Sequence, residues 1–489
     1  MATGIRVNPP LTHYLHALKQ VLSSPAVTAI TDAELRGQLQ KADRVVGHLL
    51  VQLTAVPDVE RDALRQFQQA VEGLESLLAA RGLPAEGPRE LHALATRDSH
   101  ATLDEMLRPV RDVQHQLYAI ASDDARARMR EIVAVEKRCS ERLFEALDGF
   151  MTPQDGVAST GAVHTREIDE AKFNDFLAAA FPGESAVKLA GYSFIAGGHS
   201  KYTAKIRLEG GQRVPRTVVL RGDGSSKYGG SSVRDEFRLL QVLHRHGVSV
   251  PRPLAVDETG QVFGAPIMLV EEMPGRLIGH MFALPPPNQA LCRDTAVQLA
   301  RLHRIQVGEF GSHTESAGLT NQEKATRWLN ESYTSFKALD RPSPIIETAF
   351  HWLRDRIALN DGARSLVHGD YGLNNLLVHE DRVSAILDWE FAHIGNAIYD
   401  LGYFYFQAEH LGSWEDFMSA YQAAGGFAPT DEQLDYGILF ATTRLGVMVC
   451  QTEAAFASGS IHGIGAAVAC TGFHDISVKR IARVLERVI

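Results

Sequence analysis

Three oxygen-bearing side chains near residue 370 have the types and spacing that phosphoryl transfer requires. Asp370 stands in a short polar loop, Asn375 follows five residues later, and Asp388 comes at the end of the next apolar run. Phosphoryl transfer needs a carboxylate to orient the attacking hydroxyl and hard oxygen ligands to hold Mg²⁺ on the phosphates. Asp370 suits the first role, and the other two residues suit the second.

A β-hairpin is the element that must bring these residues together. Residues 375–379 and 383–388 read as strands on either side of a turn at 380–382. A hairpin returns the end of its second strand to the start of its first, so Asp388 comes back beside Asn375. Each residue alone could be a turn former or a cap. All three together, in this order and on this hairpin, favour a catalytic site.

The segments around the hairpin alternate between helix and strand. Helices are predicted at about 169–180 and 232–246, and strands at 191–196, 202–208, 218–221, 254–257 and 266–271. Beyond Pro287 the chain is mostly helical, apart from the hairpin. A small lobe rich in strands, followed by a larger helical lobe, predicts a two-lobed α+β fold.

The first 150 residues have the pattern of an all-α helical bundle. One stripe with alternating spacings of four and three residues predicts a helix: Leu35, Leu39, Ala42, Val46, Leu49 and Leu53. Similar stripes recur as far as Leu147, which predicts an antiparallel bundle of four or five helices. The bundle carries no cluster of metal-ligand residues, so we expect a packing or oligomerisation module, with substrate contact as the alternative. Residues 151–163 are small and turn-forming, which predicts a linker and an independently folding bundle.

Composition and charge indicate the class of protein and the partners that it is expected to bind. The chain has 489 residues, 45% apolar and 22% charged, which is typical of a globular protein with at least two domains. The net charge of −10 disfavours general nucleic-acid binding, because phosphate contacts need a basic face. The four cysteines are far apart, and no apolar run is long enough to cross a bilayer. We therefore expect a cytoplasmic protein with no nucleic-acid or membrane partner.

The motif His368-Gly369-Asp370 through Asn375, with Asp388-Trp389-Glu390, resembles that of the aminoglycoside phosphotransferase family of kinase-like enzymes. The resemblance covers about residues 170–489. It implies a protein-kinase-like fold, ATP or GTP as the phosphoryl donor, and Mg²⁺. It also implies that Asp370 is the catalytic base, that Asn375 and Asp388 are metal ligands, and that Asp400 braces the catalytic loop.

In the light of this resemblance, two segments of the smaller lobe read as nucleotide contacts. Gly197, Gly198 and Ser200 lie in a turn between two predicted strands, where backbone N–H groups can reach phosphates. The segment from Glu271 to Met273 resembles the hinge between the lobes, whose backbone would meet the adenine edge. Pro274 and Gly275 after a buried strand could also make a simple turn.

A cation for the phosphates is expected on the strand that ends near residue 221. Kinase-like folds normally carry a lysine there, paired to a glutamate on the following helix. This chain has Arg221, which keeps the charge and adds a planar fork, and it offers Glu236 on the helix. Lys205, one strand earlier, is the competing candidate.

Within the family, several short motifs are similar to the kinase-like domain that is fused to, or encoded near, acyl-CoA dehydrogenases. These motifs are Gly197-Gly198-His199-Ser200, Leu220-Arg221, Arg234-Asp235-Glu236, Leu302-His303, Arg327-Trp328 and Leu387-Asp388-Trp389-Glu390. The similarity implies phosphorylation of the hydroxyl of a hydroxyacyl-CoA thioester. Phosphate is a far better leaving group than hydroxide, so such a step would prime the hydroxyl for loss.

The sequence thus predicts four segments and one activity. The segments are a helical bundle at 1–150, a linker at 151–163, a kinase-like N-lobe with the glycine loop at 164–273, and a C-lobe with the catalytic loop at 274–489. The activity is ATP- or GTP-dependent transfer of the γ-phosphate to an alcohol group of a small molecule, such as a hydroxyacyl-CoA. The helical domain could also join two chains into a homodimer.

Other functions remain open at this stage. An aminoglycoside or another polycationic antibiotic would be drawn to acidic residues such as Glu409, Glu415 and Asp416. A catalytically silent nucleotide-binding protein would normally lack one of the three catalytic-site residues, and all three are intact. A protein kinase is disfavoured, because no Ala-Pro-Glu element or long activation segment follows Asp388.

Overall fold

The computed structural model describes most of the chain. The described residues are 11–97, 101–148, 167–184, 186–195, 201–223, 231–279, 284–313, 318–339, 342–362, 364–461 and 463–489. The predicted linker at 151–163 lies outside the described residues.

The N-terminal part of the described chain is helical. Its helices are α1 (Leu11–Leu22), α2 (Pro25–Thr28), α3 (Ala33–Thr54), α4 (Val56–Ala70), α5 (Leu74–Ala79), α6 (Glu86–Ala95), α7 (Leu103–Ile120) and α8 (Asp123–Asp148). Helix α7 shows why the sequence folds in this way locally. The Thr102 hydroxyl accepts a hydrogen bond from the Glu105 N–H, and the Glu105 carboxylate accepts one from the Thr102 N–H, which makes a capping box.

Strands and helices then alternate as far as residue 277. The elements are α9 (Glu170–Ala180), β1 (Lys188–Ile195), β2 (Lys201–Glu209), β3 (Thr217–Asp223), α10 (Val233–Arg245), β4 (Pro253–Asp257), β5 (Ile267–Glu271) and β6 (Arg276–Leu277). Except for the short β6, these elements agree with the predicted ones to within a few residues.

The remaining chain is mostly helical. Its elements are α11 (Gln289–His303), α12 (Asn321–Ala338), α13 (Pro344–Asp355), β7 (Arg364–Val367), β8 (Leu376–His379), β9 (Arg382–Ile386), β10 (His393–Asn396), α14 (Ile398–Leu411), α15 (Trp414–Ala423), α16 (Asp431–Ala457), α17 (Ile464–Ala469) and α18 (Phe473–Val488). The predicted hairpin is β8–β9. The short strands β7 and β10, which pair with each other, were not predicted.

The chain divides into two compact units. Unit 1 comprises 1–153, 325–359 and 438–489, and unit 2 comprises 154–324 and 360–437. The division predicted from sequence ended the helical domain at residue 150 and assigned everything after residue 273 to the C-lobe. The structure instead groups two later segments with the N-terminal helices, so unit 1 is discontinuous in sequence.

Specific contacts explain why these segments join unit 1. Glu136 of α8 accepts hydrogen bonds at 2.9 Å from the Ser343 hydroxyl and from the Ile345 N–H, at the N-terminus of α13. Arg44 of α3 donates to the Thr471 carbonyl oxygen at 2.8 Å. All five residues in these contacts are buried, so the N-terminal helices satisfy polar groups of segments more than 200 residues away.

Unit 2 is built on an antiparallel five-stranded sheet in the order β1-β2-β3-β5-β4. Two smaller sheets, β10-β7 and β6-β8-β9, belong to the helical part of the unit. Strand β2 alternates between the two faces of the large sheet: Ala204, Ile206 and Leu208 are buried, whereas Lys205 and Arg207 are exposed. The fold class is therefore the predicted one, an all-helical region followed by a kinase-like α+β unit.

No helix within the described ranges combines the length and apolarity that a transmembrane helix needs.

Candidate active site

The loop between β7 and β8 is held by hydrogen bonds to its backbone. The Asp400 carboxylate of α14 accepts from the His368 N–H at 2.7 Å and from the Gly369 N–H at 2.9 Å. The Gln407 side chain, two turns further along α14, accepts from the Leu373 N–H at 2.7 Å. Buried amides that are satisfied in this way fix the loop before any ligand binds.

Asp400 is well suited to brace this loop. Its side chain is fully buried, and His303 lies 3.2 Å from it as a third partner. Burial alone would raise the pKa of Asp400, but the interactions with His303 and His368 together outweigh it and lower the pKa below its usual value. The carboxylate thus stays ionised and can accept all three hydrogen bonds.

Gly369 is required by the shape of the loop. Its φ of +82° lies in the left-handed region that favours glycine. A Cβ atom at this position would also lie 2.7 Å from the Phe391 carbonyl oxygen. The Gly in the His-Gly-Asp motif therefore has a structural reason that is independent of chemistry.

His368 joins the loop to the strand that precedes Asp388. Its Nε2 lies 2.9 Å from the Leu387 carbonyl oxygen, and its Nδ1 lies 3.2 Å from the Asp370 N–H. A carbonyl can only accept and an N–H can only donate, so we assign the proton to Nε2 and a neutral ring. No role for His368 was predicted from the sequence, although its place in the motif could have suggested one.

The candidate catalytic base Asp370 and the candidate metal ligand Asn375 are in direct contact. The Asn375 amide nitrogen donates to Asp370 Oδ2 at 2.7 Å and to the Asp370 carbonyl at 2.9 Å. The amide thereby fixes the carboxylate in one orientation. Its own oxygen, Oδ1, is then the atom that can bind a cation.

Asp388 stands beside Asn375 in a strained conformation. The Leu387 N–H donates to the Asn375 carbonyl at 2.8 Å, which brings the two backbones together as the hairpin predicted. Asp388 has a φ of +64°, which is uncommon for a residue with a side chain. Such conformations cost about 1–3 kcal/mol and concentrate at functional sites.

The predicted phosphate-binding cation, Arg221, contacts Asp388. One guanidinium nitrogen lies 3.1 Å from Asp388 Oδ1, and another lies 3.6 Å from Glu236. Burial would lower the pKa of Arg221, but these two carboxylates, together with that of Glu390, outweigh it and raise the pKa above its usual value. Within the described part of the chain, Arg221 Nε has no hydrogen-bond partner.

The competing lysine lies elsewhere, and another lysine takes its place. Lys205 is 45% exposed and pairs with Glu272 at 2.6 Å. Lys201, for which no role was predicted, is buried and lies 2.6 Å from Glu236. Its position one residue after the predicted glycine loop was the available signal.

The other residues predicted to contact the nucleotide belong to the glycine segment and to the hinge segment. Gly197, Gly198 and Ser200 lie outside the described residues. Glu271 ends β5, and its N–H donates to the Arg252 carbonyl at 2.9 Å. Met273, two residues further on, is half-buried and makes no backbone hydrogen bond to another described residue.

The donor set near Asp370 fits a Mg²⁺ ion that is shared with phosphates. Across the described residues, His, Cys, Asp and Glu form no group of three or more that could hold a metal. Asn375 and Asp388 offer two hard oxygens, and Mg²⁺ usually takes one or two protein ligands, with phosphate oxygens and water completing its shell. The guanidinium of Arg221 already shows that Asp388 attracts a cation.

The site combines three features: cations of the large sheet beside the buried Glu236 of α10, an aspartate oriented by an amide, and a second aspartate at the end of the hairpin. These features are typical of phosphotransferases of the kinase-like class. A family model described as "Phosphotransferase enzyme family" matches residues 191–435, half of the chain. The chain belongs to this family, which confirms the resemblance noted in the sequence.

Two relatives carry a similar segment. The chain is 31% identical over 219 residues to the probable acyl-CoA dehydrogenase IBR3 of Arabidopsis thaliana, covering 42% of this chain and 26% of that protein. It is 29% identical over 176 residues to acyl-CoA dehydrogenase family member 11 of Homo sapiens, covering 35% of this chain and 22% of that protein. The alignments thus span about a quarter of the length of each relative.

A solved structure shares the fold. It is that of a proposed aminoglycoside phosphotransferase from Ralstonia eutropha, with a TM-score of 0.54 and 19% sequence identity. The similarity covers 66% of this chain and 99% of that one. At this identity the similarity supports the fold alone.

Proposed function

We propose that this phosphotransferase moves the γ-phosphate of ATP or GTP to a hydroxyl of a small molecule. The observation that carries the proposal is the contact of Asn375 with the Asp370 carboxylate beside the strained Asp388. This arrangement orients one carboxylate toward an acceptor and presents separate oxygens to a cation. A protein that only bound nucleotide would have no need to fix Asp370.

Each residue then has a distinct task. Asp370 accepts the proton of the acceptor hydroxyl and orients it for attack on the γ-phosphorus. Asn375 Oδ1 and the Asp388 carboxylate would hold Mg²⁺, which neutralises charge on the phosphates when it is bound. Arg221 binds phosphate oxygens, whose charge is present before and during transfer.

The two remaining segments are assigned to the nucleotide, one to its phosphates and the other to its adenine. Gly197, Gly198 and Ser200 would cover the phosphates with backbone N–H groups. The Glu271 N–H is already bonded to Arg252, so we assign the adenine contact mainly to the Met273 backbone.

For the acceptor, we propose a hydroxyacyl-CoA. The support is the relatives, whose names are those of acyl-CoA dehydrogenases and whose matching segment is about a quarter of their length. Phosphorylation would convert a poor leaving group into a good one on an acyl chain. A thioester substrate of this kind would connect the kinase reaction to acyl-CoA chemistry.

The acidic residues that could favour a polycationic antibiotic are largely occupied. Glu409 accepts a hydrogen bond from the Tyr405 hydroxyl at 2.8 Å, and Asp416 pairs with Arg293 at 3.2 Å. Since Arg293 offsets the charge of Asp416, this group is a weaker attractant than the sequence suggested. We therefore keep the CoA thioester as the proposed acceptor.

The test compares three acceptors with the 489-residue chain, Mg²⁺ and either ATP or GTP. The acceptors are a hydroxyacyl-CoA, the same hydroxy acid without CoA, and an aminoglycoside. Mass spectrometry should detect a phosphorylated hydroxyacyl-CoA with the wild-type chain and none with Asp370→Ala. Phosphorylation of the aminoglycoside alone would overturn the acceptor, and nucleotide binding without product on any hydroxyl compound would overturn the transfer.

A further inference from the structure

One face of the large sheet in unit 2 carries two cations near a single buried carboxylate. Thr203 of β2 lies opposite Arg221 of β3, so the two side chains are on the same face. Lys201 is two residues before Thr203 and therefore shares that face as well. Both Lys201 and Arg221 approach Glu236 of α10.

The two cations are not equivalent partners of Glu236. Lys201 Nζ lies 2.6 Å from one carboxylate oxygen, and this lysine side chain is 5% exposed. The nearest guanidinium nitrogen of Arg221 lies 3.6 Å from the other oxygen, which is too long for a hydrogen bond. Lys201 thus makes the short ion pair that kinase-like folds normally assign to the next strand.

This difference leaves Arg221 available for other contacts. Its Nη2 reaches Asp388 at 3.1 Å, and its Nε has no hydrogen-bond partner among the described residues. A guanidinium offers five donors, so a group in this state has several left for phosphate oxygens. If Glu236 depended on Arg221 alone, the guanidinium would be needed to compensate that buried charge.

We propose that Lys201 is the positioning residue for Arg221: it neutralises Glu236 and so leaves the guanidinium free for the nucleotide phosphates. This inference rests on the proposed function, because it assigns phosphate binding to Arg221. It also explains how an arginine can stand where a lysine is usual. The task of one lysine is divided between two residues, one for the helix glutamate and one for the ligand.

The main test removes the Lys201 charge and measures nucleotide binding. In Lys201→Met, Glu236 has only Arg221 as a cation, so the guanidinium turns toward it and away from the phosphates. We expect the Kd and KM for nucleotide to rise about tenfold, as for the loss of one charge-assisted contact, and kcat to change by less than about threefold. Lys205→Met, an exposed ammonium on the same face of the same strand, is the matched control and should stay within about twofold.

A double-mutant cycle separates positioning from direct phosphate contact. In a Glu236→Gln background no buried carboxylate needs a cation, so adding Lys201→Met should change KM by less than about twofold. A further tenfold loss in that background would mean that Lys201 itself binds the phosphates, and would overturn the inference. The double variant also carries no unpaired buried charge, so it keeps the test decisive if Lys201→Met alone fails to fold.

The outcomes distinguish this inference from the proposed function. If the wild-type chain binds neither ATP nor GTP, both fail together. If the wild type binds nucleotide and Lys201→Met binds it equally well, only the role of Lys201 is overturned. Lys201→Arg restores the charge and should recover most of the lost affinity.

Discussion

Replacing Glu136 by glutamine should make unit 1 more stable at pH 8 and change its stability little at acidic pH. Glu136 is a buried residue of α8 that holds the N-terminus of α13 through Ser343 and Ile345. Burial raises the pKa of Glu136 from 4.5 to about 7, although both hydrogen bonds and the charge of His474 oppose the rise. The folded protein therefore retains a proton that the unfolded chain releases.

The sign and size of the effect follow from this difference in proton binding. Between pH 4.5 and about 7 the folded state binds more protons than the unfolded state, so the free energy of unfolding falls as the pH rises. Each pKa unit corresponds to about 1.4 kcal/mol, which gives a loss of about 3 kcal/mol in total, most of it between pH 5 and pH 8. Glutamine has no such titration.

Glutamine can also reproduce the hydrogen bonds of the protonated acid. Its Nε2 can donate to the Ser343 hydroxyl while its Oε1 accepts the Ile345 N–H. The variant should therefore match the wild type near pH 5 and exceed its stability by about 2–3 kcal/mol at pH 8. Hydrogen exchange of peptides from α8 and α13, corrected for the intrinsic exchange rate, measures the opening free energy at both pH values.

Glu145→Gln makes the same chemical change on an exposed position of α8 and serves as the control. Because water solvates that carboxylate in the folded and the unfolded chain, its substitution should affect exchange little at either pH. The argument from burial would be refuted if the opening free energy of Glu136→Gln differed from that of the wild type by the same amount at pH 5 and pH 8. It would also be refuted if the variant were less stable than the wild type at pH 8.

Four further predictions concern the site and the division into units. Asp370→Ala should lower kcat by about 10²–10⁴ with nearly unchanged nucleotide affinity in calorimetry. Asp388→Asn should raise the Mg²⁺ concentration needed for nucleotide binding, because an amide supplies less charge; an unchanged Mg²⁺ titration would remove Asp388 from the site. Asp400→Asn should cost about 3–5 kcal/mol in urea unfolding, because it leaves buried partners without their carboxylate. Separately, the wild type should lose stability as the pH falls below 3.8 through the lowered pKa of Asp400. A chain cleaved at a protease site inserted within 151–163 should remain associated in gel filtration, because N-terminal helices and later segments share unit 1; separation into two folded pieces would restore the independent bundle.

The sequence could predict the parts of the site that depend on local structure. Asp370 and Asn375 are joined by a five-residue loop, and the hairpin brings Asp388 to Asn375, so the chain itself limits their separation. Their observed contact at 2.7 Å and the 2.8 Å bond that joins the two strands are consequences of that short path. Turn chemistry and hairpin pairing are encoded within about twenty residues.

Helix partners were harder to predict, because periodicity shows that a face is buried but not what covers it. Helix α3 is present as expected, yet Leu35, Leu49 and Leu53 of the predicted stripe are 44–48% exposed. Leu50 is completely buried instead. The same limit applies to α13 and α18, whose partners are hundreds of residues away, so the predicted boundary at residue 150 does not coincide with the end of unit 1.

Lys201 shows why single polar residues in a sheet are the least predictable members of a site. In the structure, Lys201 and Lys205 are both lysines on the same face of β2, although the sequence predicts a strand only from residue 202. Their surroundings differ by where α10 crosses the sheet: Lys201 meets Glu236 in a buried position, and Lys205 meets Glu272 at the surface. The ion pair at the surface is screened by water and contributes little, whereas the buried pair determines which cation must compensate a desolvated carboxylate. The contact with Glu236 in the folded chain therefore distinguishes Lys201 from Lys205 and makes Lys201 the candidate positioning residue for Arg221.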